Sequence, residues 1–75
     1  PFTGKLDIYL TLPHSCMVTF SFIDLNGKVV YSKSVKGLKG FNWFIVNDLV
    51  KLPSAPYLLK LVTDENTFIE KLIKQ

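Results

Sequence analysis

Apolar and polar residues alternate with a period of two along almost the whole chain. Leu6, Ile8, Leu10 and Leu12 are separated by Asp7, Tyr9 and Thr11, which predicts a half-buried strand running up to Pro13. Val18, Phe20 and Phe22 alternate with Thr19 and Ser21 in a second strand. Asp24-Leu25-Asn26-Gly27 then supplies turn chemistry, because Asn and Gly tolerate the positive φ of a tight hairpin. The Asp24 carboxylate is placed to accept hydrogen bonds from turn amides near Asn26 and Gly27. A third strand over residues 28–35 is therefore expected to pair back on the second.

Gly37 and Gly40 bracket a loop, after which residues 41–46 carry apolar side chains on both faces. Such a strand is expected in a central position with Trp43 in the core. Residues 47–54 contain Asp48, Leu49, Leu52 and Pro53 and read as a connection between sheets, anchored by its leucines. A fifth strand over residues 57–63, a turn at Asp64-Glu65-Asn66 and a sixth strand over residues 67–74 complete the chain. In the sixth strand Thr67, Ile69, Lys71 and Ile73 share one face, and Phe68, Glu70, Leu72 and Lys74 the other. Each face mixes apolar residues with a charge, so one apolar pair is expected to pack inward while the other stays partly exposed.

Short strands at regular spacing, without helical periodicity, predict an all-β fold: a small Ig-like antiparallel β-sandwich of six to seven strands. Residues 1–3 or 47–52 are candidates for the seventh. The expected core is Leu6, Ile8, Leu10, Val18, Phe20, Phe22, Trp43, Tyr57, Leu59 and Leu61. At 75 residues the chain is one domain, residues 1–75, and a domain of this size buries only roughly 60% of the surface its unfolded chain exposes. With 48% hydrophobic residues it has the material for a compact core. Pro1-Phe2-Thr3, with no initiator methionine and no cationic-then-apolar leader, reads as the start of a piece of a longer protein. No apolar run is long enough for a membrane helix, so membrane insertion is not expected.

The formal charge of +3 comes from nine lysines and no arginine. They are scattered singly, and arginine is the residue suited to bidentate phosphate and guanine contacts, so nucleic-acid binding is not expected. Lys5, Lys28, Lys33, Lys51 and Lys60 read as solvated residues that discourage edge-to-edge aggregation. His14 and Cys16 flank Ser15 on one short loop, a poor arrangement for a nucleophile and its base. One His and one Cys also fall short of a zinc set. Asp64 and Glu65 read as turn residues rather than a calcium site. No catalytic, cofactor-binding or metal residue is assigned. Tyr9, Tyr31, Phe41 and Trp43 read as packing residues. Their other reading, a sugar-stacking platform on a carbohydrate-binding or adhesive Ig-like module appended to a secreted enzyme, requires at least two rings to be exposed and coplanar.

The order and spacing of four motifs resemble a known family over essentially the whole chain. Pro1-Phe2 looks like the end of an Asn-Pro-Phe start, followed by the first strand. Ile23-Asp24-Leu25-Asn26-Gly27-Lys28 matches a pattern of aspartate, two variable residues, glycine and a basic residue. Gly40-Phe41-Asn42 resembles the glycine that leads into the next strand. Leu52-Pro53-Ser54 followed by Tyr57 matches Leu-Pro-Ser-Gly-x-Tyr, and Lys71-Leu72-Ile73-Lys74-Gln75 matches the C-terminal ending. These are features of the type A C-terminal sorting domain of the type IX (Por) secretion system of Gram-negative Bacteroidetes. Ala55 stands where that family usually has glycine, and Pro56 follows it. An alanine before proline favours extended backbone, so the entry to the fifth strand is expected to differ locally, a cis Ala55-Pro56 bond being one form of that difference.

The resemblance implies a non-catalytic signal without cofactors, joined to an upstream cargo domain and read by the outer-membrane translocon, a shuttle and a sortase-like peptidase. It implies passage through the periplasm, then release or attachment to lipopolysaccharide at the cell surface, with any cleavage site upstream of Pro1. Asp24, Gly27, Lys28, Gly40, Pro53 and Tyr57 are the structural motif positions. Lys71, Leu72, Ile73, Lys74 and Gln75 are the expected recognition positions. Because ammonium groups are costly to bury, both lysines are expected to stay accessible, and loss of residues 72–75 to fray only one strand end.

Overall fold

The computed structural model describes residues 2–75, and Pro1, the first residue of the expected start motif, lies outside them. Six strands follow in chain order: β1 Leu6–Leu12, β2 Cys16–Ile23, β3 Val29–Gly37, β4 Gly40–Val46, β5 Ala55–Val62 and β6 Thr67–Lys74. Two antiparallel sheets result, a four-stranded one in the order β3-β2-β5-β6 and a two-stranded ribbon of β1 and β4. The expected all-β sandwich is therefore formed, and β3 pairs back on β2 as its turn chemistry requires. Among the described residues neither candidate for a seventh strand forms one. Residues 47–52 are irregular, and Phe2 makes a single parallel bridge to Lys74.

The inner face of the large sheet is set by register. Val18, Phe20 and Phe22 of β2 lie beside Leu61 and Leu59 of β5, with Tyr57 next along that strand, and all six are buried. From the ribbon, Ile8, Leu12 and Val46 close over them, while Leu6 and Leu10 are half-buried. Phe20 meets Phe44 edge-on at 5.3 Å between ring centroids. Leu49, from the connection after β4, has no exposed surface, so the leucine anchoring expected there is formed by this residue, with Leu52 half-buried.

Trp43 is not core. Its register with Tyr9 places it on the outer face of the ribbon, where it is 59% exposed, and β4 is a strand of the two-stranded ribbon, not a central one. A strand with apolar residues on both faces reads as doubly covered from sequence, yet here no further layer lies outside the ribbon among the described residues.

Local hydrogen bonds explain the motif positions. Asp24 Oδ1 accepts from the amides of Asn26 and Lys28, both at 2.9 Å, and Gly27 supplies the positive φ of +83°. A register shift after Phe22 makes room for this turn. Gly40 has a φ of +98°, and the buried Asn42 two residues on binds the loop before it, accepting from Leu38 N–H and donating to the carbonyls of Leu38, Gly40 and Leu10. At Gly37 a Cβ would stand 2.4 Å from Leu12 Cδ1 and 3.1 Å from Val18 Cγ2, so a side chain there would require the buried Leu12 to shift. The Leu-Pro-Ser-x-x-Tyr motif is closed by Tyr57 Oη, which donates to the Pro53 carbonyl at 2.6 Å, a hydrogen bond of the kind that ties a tyrosine corner. The peptide bond between Ala55 and Pro56 is trans, and β5 starts at Ala55, two residues before Tyr57. The strand thus begins two residues earlier than the expected start at Tyr57.

Both assignments have measurable weight. Leu49→Ala is expected to cost about 2 to 5 kcal/mol, comparable with the entire stability of so small a domain, whereas Tyr57→Phe should cost about 1 to 3 kcal/mol by orphaning the Pro53 carbonyl. Urea unfolding of the two variants measures this, and an unchanged midpoint for either would show its contact to be inert.

Candidate recognition surface

The five C-terminal residues do not behave alike. β6 pairs with β5 along its whole length, with Leu72 opposite Tyr57 and Lys74 opposite Ala55, so these two turn inward. Lys71 and Ile73 point out of the sandwich and are exposed, as is Gln75. Lys74 is only 8% exposed, against the expectation that both lysines stand free. The long methylene stem is covered while the ammonium still reaches solvent, since no buried side-chain nitrogen or oxygen is left without a partner among the described residues.

The chain end is also tied more firmly than a fraying strand. Phe2 N–H donates to the Ile73 carbonyl at 2.9 Å, and Gln75 N–H donates to the Phe2 carbonyl at 2.8 Å. Phe2 itself is buried against Phe22. Removing residues 72–75 therefore undocks the N-terminal segment too, which corrects the expectation that one strand end alone would fray.

What β6 offers to solvent is its outer face. Ile69, Lys71 and Ile73 lie beside Lys60, Leu58 and Pro56 of β5 respectively, and Ile69, Ile73 and Leu58 are exposed large apolar residues. This is a contiguous apolar strip bearing two lysines, Lys60 and Lys71, with no acidic residue among those register partners. The division of β6 into an inward pair, Phe68 and Leu72, and an outward pair, Ile69 and Ile73, follows the period-two expectation. Of the inward pair only Leu72 is well covered, and Phe68 stays exposed.

A second exposed surface lies on the ribbon. Tyr9 is nearly parallel to both Phe41 and Trp43, with interplanar angles of 20° and 22° and centroids 5.9 and 6.2 Å away. Tyr9 is 60% and Phe41 70% exposed, so the exposure required for the sugar-stacking reading is present, while the rings are stacked in near-parallel planes rather than spread in one plane. Tyr31 is no part of it: it packs edge-on against Phe22, and burial together with Asp48 raises its phenol pKa.

The loop after β1 and the turn before β6 meet at one end of the sandwich. His14 Nε2 lies 2.7 Å from Asp64 Oδ2 and His14 Nδ1 3.3 Å from Glu65 Oε1. Thr63 shapes this turn, its N–H donating to the Asn66 carbonyl and its hydroxyl accepting from Asn66 N–H. The three side chains offer ligand atoms within 4.8 Å of one another, all exposed. Sequence reasoning separated them because His14 and Asp64 are 50 positions apart, and alternation carries no signal for which loop ends coincide. The Asp64 hydrogen bond and charge raise the His14 pKa, and the same hydrogen bond lowers that of Asp64.

The family model for the secretion system C-terminal sorting domain matches residues 1–75, the full length given. No curated protein and no solved structure matched the chain. No helix among the described residues is long and apolar enough to cross a membrane.

The loop contact has a pH signature. His14 should titrate above 6.5 in the folded domain, its contribution to stability being complete below 6.5 and lost as pH rises through the elevated value. Asp64 contributes above 3.8, and its share is lost as pH falls through the depressed folded value. Imidazole proton shifts followed against pH check this: Asp64→Asn should bring the midpoint back toward 6.5, and no movement would remove Asp64 as the cause.

Proposed function

The chain belongs to the C-terminal sorting domains of the type IX secretion system, and from that premise we propose that it is the part of an exported protein that the system reads, carrying an upstream cargo through the periplasm to the outer-membrane translocon. The family is a non-catalytic sorting signal, and its members act with the type IX machinery on secreted or cell-surface proteins. Cleavage by a sortase-like peptidase, followed by release of the cargo or its attachment to lipopolysaccharide, is the proposed end of that route. The observation that carries the reading is the pairing of a match across the whole chain with an outward apolar strip on the last strand. In this reading the exposed Lys71, Ile73 and Gln75 make the contact, while Leu72 and Lys74 hold β6 in place from the inner side.

The test is a fusion of residues 1–75 to a periplasm-directed reporter in a host with and without the translocon. Wild-type fusion should leave the cell only when the translocon is present. Lys71→Ala and Ile73→Ser should keep the melting temperature and leave the reporter in the periplasm, because both side chains lie on solvent. Lys74→Ala and deletion of Gln75 should lower melting as well, since one removes a buried stem and the other the N–H bonded to Phe2. Normal export of a Lys71 and Ile73 double variant would move recognition elsewhere on the domain.

The ribbon favours a second reading, a glycan-stacking face, because Tyr9, Phe41 and Trp43 are exposed and nearly parallel. Pyranose rings present C–H faces that stack on such aromatic surfaces, and an adhesive module would use them. Binding of the isolated domain to immobilised polysaccharides should then fall about five- to thirtyfold for Trp43→Ala, from loss of a contact on the order of 1 to 2 kcal/mol. Export that ignores the translocon, together with that loss, would favour this reading over the sorting role.

A further inference from the structure

The ribbon leaves part of the large sheet uncovered, and the gap has a definite shape. A groove of about 300 Å³ opens between β1 and β6 and continues into a second compartment of about 230 Å³ that shares Ile8, Tyr9, Leu59 and Glu70 with the first. Its β1 wall is made by Leu6, Asp7, Ile8, Tyr9 and Leu10, five consecutive residues. Successive residues of a strand point to opposite faces, so all of them can line one groove only if the wall is the backbone edge of β1. That edge faces away from β4, because no β4 residue lines either compartment, and β4 is the sole ladder partner of β1 among the described residues. The N–H and C=O groups that point into the groove therefore have no strand to pair with.

The floor is the inward face of β6, Phe68, Glu70 and Leu72, backed by Leu59 of β5. Phe68 remains exposed although it points to the core side. The two titratable carboxyl groups at the groove, Asp7 on the wall and Glu70 on the floor, are both acidic in a chain of net charge +3, and neither forms an ion pair among the described residues. The groove thus offers an unpaired strand edge, an apolar floor and local negative charge along one line about 20 Å long.

We propose that this groove is a docking site for an extended segment of a partner protein, which adds as a third strand to the ribbon beside β1. The segment carries apolar side chains at alternate positions, packing on Phe68, Leu72 and Leu59, and a lysine or arginine between them that reaches Glu70. Main-chain hydrogen bonds to β1 supply the affinity and the alternate side chains the specificity, the division of labour in strand addition. This goes beyond the sorting role and does not involve the outer strip of β6, so the two surfaces fail or succeed independently.

A synthetic peptide Thr-Val-Thr-Lys-Thr-Val-Thr, and its counterpart with glutamate in place of the lysine, test the proposal on the isolated domain by amide NMR. The lysine peptide should shift and protect amides of β1 and perturb Phe68 and Leu72. The glutamate peptide should bind at least tenfold more weakly, and Glu70→Lys, at an exposed position, should reverse the order while keeping the dispersion of the folded spectrum. Perturbation confined to β3 or β4 would overturn the site. Equal binding of the two peptides in both proteins would overturn the role of Glu70. Concentration-dependent shifts of β1 without peptide would show that a second copy of the chain takes the groove, against the partner proposed.

Discussion

A two-stranded ribbon spans about 10 Å across its strands and a four-stranded sheet about 20 Å, so one layer of this sandwich cannot cover the other. Every feature of the burial follows from where the ribbon lies. The two central strands, β2 and β5, contribute Val18, Phe20, Phe22, Tyr57, Leu59 and Leu61 to the covered zone. The edge strands keep charges on their inward faces, Lys33 opposite Phe20 on β3 and Glu70 opposite Leu59 on β6. Leu49 and Phe2 then extend the cover from outside the ladders, and both are buried. A domain this short has no spare strand, so irregular segments do part of the work of a layer.

The Phe2 and Leu49 segments are held by backbone hydrogen bonds, whereas side chain to backbone bonds hold the turns and the end of the connection before β5. Asp24, Asn42, Tyr57 and Thr63 each bind main-chain groups of a turn or connection, and each sits at an entrance or exit of a strand. Unpaired backbone groups near a core are costly, and these four residues satisfy them without lengthening the chain. At the aspartate and tyrosine motif positions the side chains bind the turn after β2 and the connection before β5. They shape a scaffold on which the outer strip of β6 is displayed.

Strand positions were legible because alternation is a local property of a strand with one covered face, and Ile8, Phe20 and Leu61 declare their side without reference to anything distant. Trp43 misled for the same reason. Its large apolar ring carries no mark of whether a further layer exists, and its neighbours Phe41 and Ile45 are apolar on the same outer face. The Asp24 turn was readable from its residues, whereas Asn42 was not, because a buried amide looks in sequence like any loop asparagine. At the candidate recognition surface, the two faces of β6 were set by period two, but the covering of Lys74 depends on Phe2 arriving from the other end of the chain. The contact of His14 with Asp64 and Glu65 likewise depends on topology alone.

The bridge between Phe2 and the end of β6 is parallel, and that direction has a mechanical meaning. The N-terminal side of Phe2 therefore faces the start of β6, while Gln75 lies at the opposite end of the strand. Tension between the two ends therefore loads the two Phe2 hydrogen bonds in shear along the strand, so that they must break together, instead of unzipping one at a time. Force applied between the two ends bears on this clasp before β6 can peel from β5.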